Sequence, residues 1–193
     1  QPAAQQGAGL SDAKKTAAIE AMATALEQAS EAILQANQED VREGQEQGLT
    51  SALMDRLHLD SARLGAVIAD LRAVGQLADP VGQLLDERRI EAGLLLRKVA
   101  VPIGVVAVIY ESRPNVTVDA AGLCLRSGNA VILRGGKEAR RTSQALVDAM
   151  RHGLADAGFD ANLVQLVAIQ DRSFVRELLQ HEEGIQLVVP RGG

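Results

Sequence analysis

Apolar residues recur at spacings of three and four through the first 80 positions and gather into unbroken runs further along. From Ser11 to Asn37, the positions Ala17, Ile19, Met22, Leu26, Ala29, Ile33 and Leu34 mark one stripe. That spacing predicts a single long amphipathic helix, with Ser11 or Asp12 as its cap. Gln38 to Gln47 is polar almost throughout, and Gly48-Leu49-Thr50 reads as a break, with Thr50 or Ser51 capping the next helix. A further stripe, Leu64, Val67, Ile68, Leu71 and Val74, ends before Asp79 and Pro80. Three helices are expected before residue 80. His58, in "DRLHLD", is expected to be solvated or hydrogen-bonded and not a ligand.

From Glu87 the pattern changes. Leu94 to Val101 sets Arg97 and Lys98 among apolar residues and suits an exposed ribbon or edge strand, whereas Gly104 to Tyr110 lacks alternating polar residues and suits a strand covered on both faces. Helix and strand then alternate: "VTVDAAGLCLRSG", "NAVILR", a glycine turn, a helix from Ala139 to Ala157, "LVQLVAI", "SFVRELLQHEE" and "IQLVVP". Such alternation predicts an α/β fold with a doubly wound, mainly parallel sheet, preceded by a helical region and a β-ribbon. The expected organisation is a helical part over 1–86, the ribbon over 87–103 and an α/β core over 104–193.

Composition removes several partners. With 193 residues, 47% of them hydrophobic, the chain can bury a core. Twenty Lys and Arg against 25 Asp and Glu leave a net charge of -5, which gives no overall attraction to nucleic acid or to anionic lipid. One Tyr, two Phe and no Trp supply few rings for stacking on bases. Cys124, alone, has no internal disulfide partner, and no apolar run approaches the roughly 20 residues that span a bilayer. The opening "QPAAQQGAGLSDAKK" lacks the basic start and apolar core of a signal peptide. A cytoplasmic protein is expected, with neither nucleic acid nor membrane as partner.

In doubly wound sheets ligands lie beyond the carboxyl ends of the strands. Here those ends carry "YESRPN", "RGGKE", "IQDRS" and "PRGG". In "RGGKE", Gly135 and Gly136 allow close approach of backbone N-H groups, the following helix start favours an anion, and Arg134 and Lys137 add full charges. A phosphate cradle accounts for these features, and so does a strand-to-helix turn that needs Gly-Gly for geometry alone. The stretch matches neither GxGxxG nor the P-loop pattern, so magnesium-nucleotide binding by that route has no support.

"VPIGVVAVIYESRPNVTVDAAGLCLRSGNAVILRGGKEA" and the terminal "VVPRGG" resemble the gamma-glutamyl phosphate reductase (glutamate-5-semialdehyde dehydrogenase) family of the aldehyde dehydrogenase superfamily. The resemblance covers essentially the whole chain and implies the Rossmann-like cofactor domain of that fold. It implies NADPH-dependent reduction of gamma-glutamyl phosphate to glutamate 5-semialdehyde with loss of phosphate, a step towards proline. It also implies a homo-oligomer joined through the ribbon and a functional link to glutamate 5-kinase. Reduction in this superfamily passes through a cysteine thioester. Cys124 sits in an apolar helical stretch and reads as a small buried hydrophobe, so the nucleophile is expected in a catalytic domain absent from this chain. These residues alone are then expected to be inactive.

The resemblance places Arg134, Gly135, Gly136, Lys137 and Glu138 in the loop that holds the adenosine side of the cofactor. There Arg134 or Lys137 would pair with a 2'-phosphate or ribose; the superfamily's usual "KPSE" is "RGGKE" here. Pro190, Arg191, Gly192 and Gly193 match the turn whose backbone faces the pyrophosphate. Asn115 resembles the asparagine that stabilises the oxyanion, and reads equally as a helix cap. Arg113 would anchor a substrate phosphate or carboxylate, or form a surface ion pair with Glu111. Two other classes fit the same residues: a catalytically inactive stand-alone nucleotide-binding module, and an assembly fragment whose ribbon a partner completes.

Overall fold

The computed structural model describes residues 1–167, 180 and 183–191. The expected helix "SFVRELLQHEE" falls almost wholly outside the described residues, as do "IQDRS", the end of "LVQLVAI", Gly192 and Gly193.

Five α-helices, not three, precede residue 80: α1 (Pro2–Ala8), α2 (Asp12–Gln28), α3 (Ser30–Glu46), α4 (Ser51–Leu57) and α5 (Ser61–Gly75). The single helix expected from Ser11 to Asn37 is broken at Ala29, where ψ is 6°. Ser30 Oγ donates to the carbonyls of Leu26 (3.1 Å) and Glu27 (2.7 Å), satisfying acceptors that the break frees. The apolar stripe runs through the break because Ile19, Met22, Leu26 and Ile33 all enter the same core. The polar segment from Gln38 onwards continues α3. Its inner face is itself polar, with Asn37 and Asp40 buried, so a search for apolar spacing misses it. Side-chain caps sit at the two anticipated breaks, Ser11 accepting from Lys14 N and Thr50 from Leu53 N, and Asp60 adds a third that the apolar spacing does not reveal, accepting from Arg63 N.

The ribbon consists of β1 (Leu84–Arg89) and β2 (Leu95–Val99), paired antiparallel and exposed along their length. Then come β3 (Val105–Tyr110), α6 (Pro114–Arg126), β4 (Ala130–Arg134), α7 (Arg140–Asp156), β5 (Val164–Leu166) and β6 (Leu187–Arg191). The last four strands form one parallel sheet in the order β5-β4-β3-β6. The chain steps from β3 outward through β4 to β5, and β6 lies on the opposite side of β3. The order therefore reverses between β3 and β6, where such sheets open a crevice at the carboxyl ends.

One core lies between this sheet and the helices, with Ile19, Met22, Leu125, Leu133, Leu146 and Met150 almost fully buried. Helix α7 rests directly on α2: a Cβ on Gly153 would run into the Ala21 carbonyl oxygen and come within 2.7 Å of Ala25 Cβ. An ion pair with a buried lysine and a part-buried carboxylate, Lys15 Nζ to Asp79 at 2.8 Å, ties the end of the α5 connection back to α2. Among the described residues, no helix is long and apolar enough to cross a membrane.

Candidate functional site

Parallel register brings three strand ends level: Ile109 pairs with Arg134 on one side and Pro190 on the other, and Tyr110 with Arg191. A cleft of about 400 Å³ opens there. Its walls come from Tyr110 and Ser112 after β3, Arg134, Gly136 and Glu138 after β4, and Pro190 and Arg191 of β6. Leu49 and Leu53, at the corner between α3 and α4, add an apolar wall. A second cleft of about 630 Å³ adjoins it, sharing Tyr110, Glu111, Pro190 and Arg191 and adding Arg56 and Arg113.

The glycine pair is demanded by packing. A Cβ on Gly135 would lie 3.1–3.2 Å from the Tyr110 ring and hydroxyl, and one on Gly136 would run into Ser112 Oγ and stand 2.9 Å from Ser112 N. Gly136 has φ -63° and ψ 151°, so close approach of the two loops, and no left-handed backbone, requires the glycine. Ser112 Oγ donates to Glu138, which fixes that carboxylate on the floor of the cleft.

The helix start after this turn is already occupied by a carboxylate of the protein, contrary to the expectation that it would favour an external anion. A 3-10 turn, Lys137–Ala139, intervenes, and α7 has no local side-chain cap. Asp40, reaching across from α3, accepts from Thr142 N (2.8 Å), Thr142 Oγ1 (2.7 Å) and Arg141 N (3.3 Å). Its charge answers the positive end of the helix. The two cations of "RGGKE" also part company. Arg134 lines the 400 Å³ cleft, whereas exposed Lys137 lines a smaller one of about 190 Å³ beside Asp40 and Glu43, with Glu138 between them.

Two alternatives from the sequence are corrected. Asn115 does not cap α6: the helix starts at Pro114, whose fixed φ suits a first position, and Arg113 occupies the cap position without a side-chain bond. Asn115 Nδ2 donates instead to Asp119 Oδ2 at 3.3 Å. Arg113 does not pair with Glu111, whose carboxylate lies 3.5 Å from Arg56. Burial and the charge of Asp70 push the Asp119 carboxyl up. Cys124 is 9% exposed, and burial pushes its thiol up to about 12, which removes thiolate at neutral pH. His58 is half exposed and stands 3.7 Å from Asp60, a solvated position. Among the described residues no His, Cys, Asp and Glu group has the spacing of a metal site.

No protein-family model matches the chain. Curated relatives do: the gamma-glutamyl phosphate reductase of Sodalis glossinidius is 49% identical over 191 residues, and that of Yersinia pseudotuberculosis 48%. The chain is a relative of the gamma-glutamyl phosphate reductases. The match covers 99% of the chain and 46% of each relative, so the chain spans about half the length of the curated relatives it matches. The crystal structure of gamma-glutamyl phosphate reductase from Thermotoga maritima superposes with a TM-score of 0.95 at 38% identity, over 100% of this chain and 46% of that one. The enzyme of that name from Saccharomyces cerevisiae gives 0.91 at 32%, over 100% and 49%. A propionaldehyde dehydrogenase from Clostridium phytofermentans, 17% identical with a TM-score of 0.71, shares the fold. The chain thus has the α/β architecture of gamma-glutamyl phosphate reductases and aldehyde dehydrogenases.

Against this reductase architecture, several residues at the clefts carried no signal in the sequence. Asp40 lies in a polar run and becomes a cap only through tertiary contact. Leu49, Leu53 and Arg56 belong to a segment with no strand end of its own, and only the placement of α4 beside the carboxyl ends of the strands brings them in. Tyr110 and Glu111 were within the quoted "YESRPN" and could have been singled out by their position beyond a central strand.

Proposed function

We propose that the chain is the cofactor-holding part of an NADPH-dependent gamma-glutamyl phosphate reductase, organised as a helical part, a ribbon that begins with β1 at Leu84 and not at the expected residue 87, and a Rossmann-like core over 104–193. The whole protein would reduce gamma-glutamyl phosphate to glutamate 5-semialdehyde, releasing phosphate, on the way to proline. The observation that carries this reading is that a cation and an anchored carboxylate, Arg134 and Glu138, line one cleft at the reversal of strand order.

The donor set fits a nicotinamide dinucleotide. Arg134 would take the 2'-phosphate and Glu138, already held by Ser112, a ribose hydroxyl. Gly135 and Gly136 keep the loop close to β3, leaving room above it. Lys137 adds a second cation from the neighbouring cleft. Pro190 and Arg191, with Gly192 and Gly193, would bring backbone to the pyrophosphate. When bound, the cofactor supplies the hydride. Asn115 would donate to the developing oxyanion, Arg113 would anchor the substrate, and a cysteine outside these residues would accept the acyl group. Exposed Leu84, Leu85, Leu94, Leu96 and Val99 on the ribbon support a homo-oligomer. The acyl phosphate itself must come from a kinase acting on the side-chain carboxylate of glutamate, hence the link to glutamate 5-kinase.

The test is fluorescence titration of NADPH and NADH against the full-length parent at low salt. Arg134→Ala should cost about 1–3 kcal/mol of NADPH binding, as expected for a charge-assisted hydrogen bond, and much less of NADH. Lys137→Ala should cost less than Arg134→Ala, because Asp40 and Glu43 share its cleft. Unchanged NADPH affinity in Arg134→Ala would withdraw the cofactor site.

A further inference from the structure

The cleft beside the cofactor site has a charge pattern that the fold does not need. Three guanidinium groups from separate segments line it, Arg56 of α4, Arg113 at the cap position of α6 and Arg191 at the end of β6, against one carboxylate, Glu111. Several arginines elsewhere among the described residues are committed to partners within the fold. Arg63 holds Asp55 Oδ1 at 2.7 Å and the carbonyls of Asp55 and His58; Arg72 spans Glu20 (2.9 Å) and Glu27 (2.6 Å); Arg141 joins Asp40 and Glu43. Arg113, by contrast, has no carboxylate within ion-pair distance among the described residues. Arg56 has only Glu111, at 3.5 Å with both side chains more than 40% exposed, a pair of the weakest kind.

The two arginines also line a further cleft of about 360 Å³ on the far side, where Arg63 is already paired with Asp55. They therefore form a partition whose available donors are not consumed by the fold. Guanidinium forks match the oxygens of phosphate in pairs, and several converging ones bind a dianion best. The geometry points to a phosphate subsite formed by Arg56 and Arg113, with Arg191 at its rim, which takes the phosphoryl group that the substrate brings and gives up. Glu111 holds Arg56 at 3.5 Å, and an incoming dianion takes its place. Naming the substrate rests on the function proposed above, whereas the anion site rests on the arginines. A second source of the same chemistry is the cofactor pyrophosphate, since Arg191 borders both clefts.

Calorimetric titration of inorganic phosphate and, separately, of NADP into the full-length parent distinguishes the sources. Arg56→Gln and Arg113→Gln should each weaken phosphate about tenfold or more, the loss expected for one charge-assisted contact, with NADP affinity within about twofold of wild type. Arg113→Lys should recover part of the loss, and Glu111→Gln should tighten phosphate by removing the competing anion. In phosphate-dependent oxidation of the semialdehyde, KM for phosphate should rise in the glutamine variants while KM for NADP holds. Absence of phosphate binding by the wild type, or unchanged phosphate affinity in both glutamine variants, overturns the subsite. So does a fall in NADP affinity in step with phosphate, which assigns the arginines to the pyrophosphate. A parent that binds phosphate through these residues yet shows no reductase activity would refute the proposed reaction and leave the subsite standing.

Discussion

Replacing Asp40 by alanine removes the cap of α7 from a distance of a hundred residues along the chain. The carboxylate is 2% exposed and receives the Thr142 N-H and hydroxyl and the Arg141 N-H. Losing a helix cap costs about 0.5–2 kcal/mol. Thr142 is fully buried, so its N-H is also left without an acceptor, at about 1–3 kcal/mol. Its hydroxyl keeps the Asn37 amide at 3.2 Å, and the Arg141 guanidinium keeps Glu39 and Glu43, so neither adds much. The sum is about 3 kcal/mol for Asp40→Ala, and about half of that for Asp40→Asn, which retains one acceptor. Urea unfolding followed by circular dichroism reads this directly: with m of about 2 kcal/mol/M, the midpoint should fall by about 1.5 M. The vacated helix end should also acquire an anion, so sulfate should stabilise Asp40→Ala more than it stabilises wild type, relative to chloride at equal ionic strength. An alanine variant within about 0.5 kcal/mol of wild type, with no extra response to sulfate, would mean that α7 is held elsewhere and that Asp40 is incidental.

Burial raises the Asp79 carboxyl, but its bonds to Lys15 and the Val81 N-H outweigh this and hold it below its usual range. A depressed folded value stabilises above about pH 4 and is lost as pH falls through that folded value, so Asp79→Asn should cost about 3 kcal/mol at pH 7 and little at the acid end of a pH-stability series. Cys124 should resist alkylation at pH 8 in the native protein and react within minutes in urea, as mass spectrometry would show; rapid native labelling would contradict its burial. Gly136→Ala should lose about 1–3 kcal/mol in thermal melts by displacing Ser112 from Glu138, and a variant as stable as wild type would mean that the two loops part easily.

The sheet was legible because strands covered on both faces leave unbroken apolar runs, and β3 and β4 fall almost where "VVAVIY" and "NAVILR" stand. Ser11 and Thr50 were legible because capping is local chemistry. The second half of α3 was not, since its buried face is a polar network whose partners, Leu57, Leu59 and Thr142, lie far along the chain. Site chemistry divides in the same way. Residue types in "RGGKE" pointed to a loop at a strand end, but nothing in the stretch told that Arg134 and Lys137 would enter different clefts, or that the glycines would be required by Tyr110 and Ser112.

The order of the strands also has a kinetic side. Val105 pairs with Ala130, a short excursion through α6, whereas Val106 pairs with Leu187 only after most of the α/β half has been made. Closing a loop about three times longer costs about 1 kcal/mol more in chain entropy, and β6 repays it with side chains that stay mostly exposed. Zipping of β3 to β4 therefore precedes docking of β6, and the crevice between them is the last part of the sheet to exist. Pulse-labelled hydrogen exchange would record this as late protection of Val188, whose N-H lies on the β3 side of β6 as that of Gln186 does, after Val131 and Leu133 are closed. A chain caught before that step has a nearly complete core and no place yet to hold a ligand.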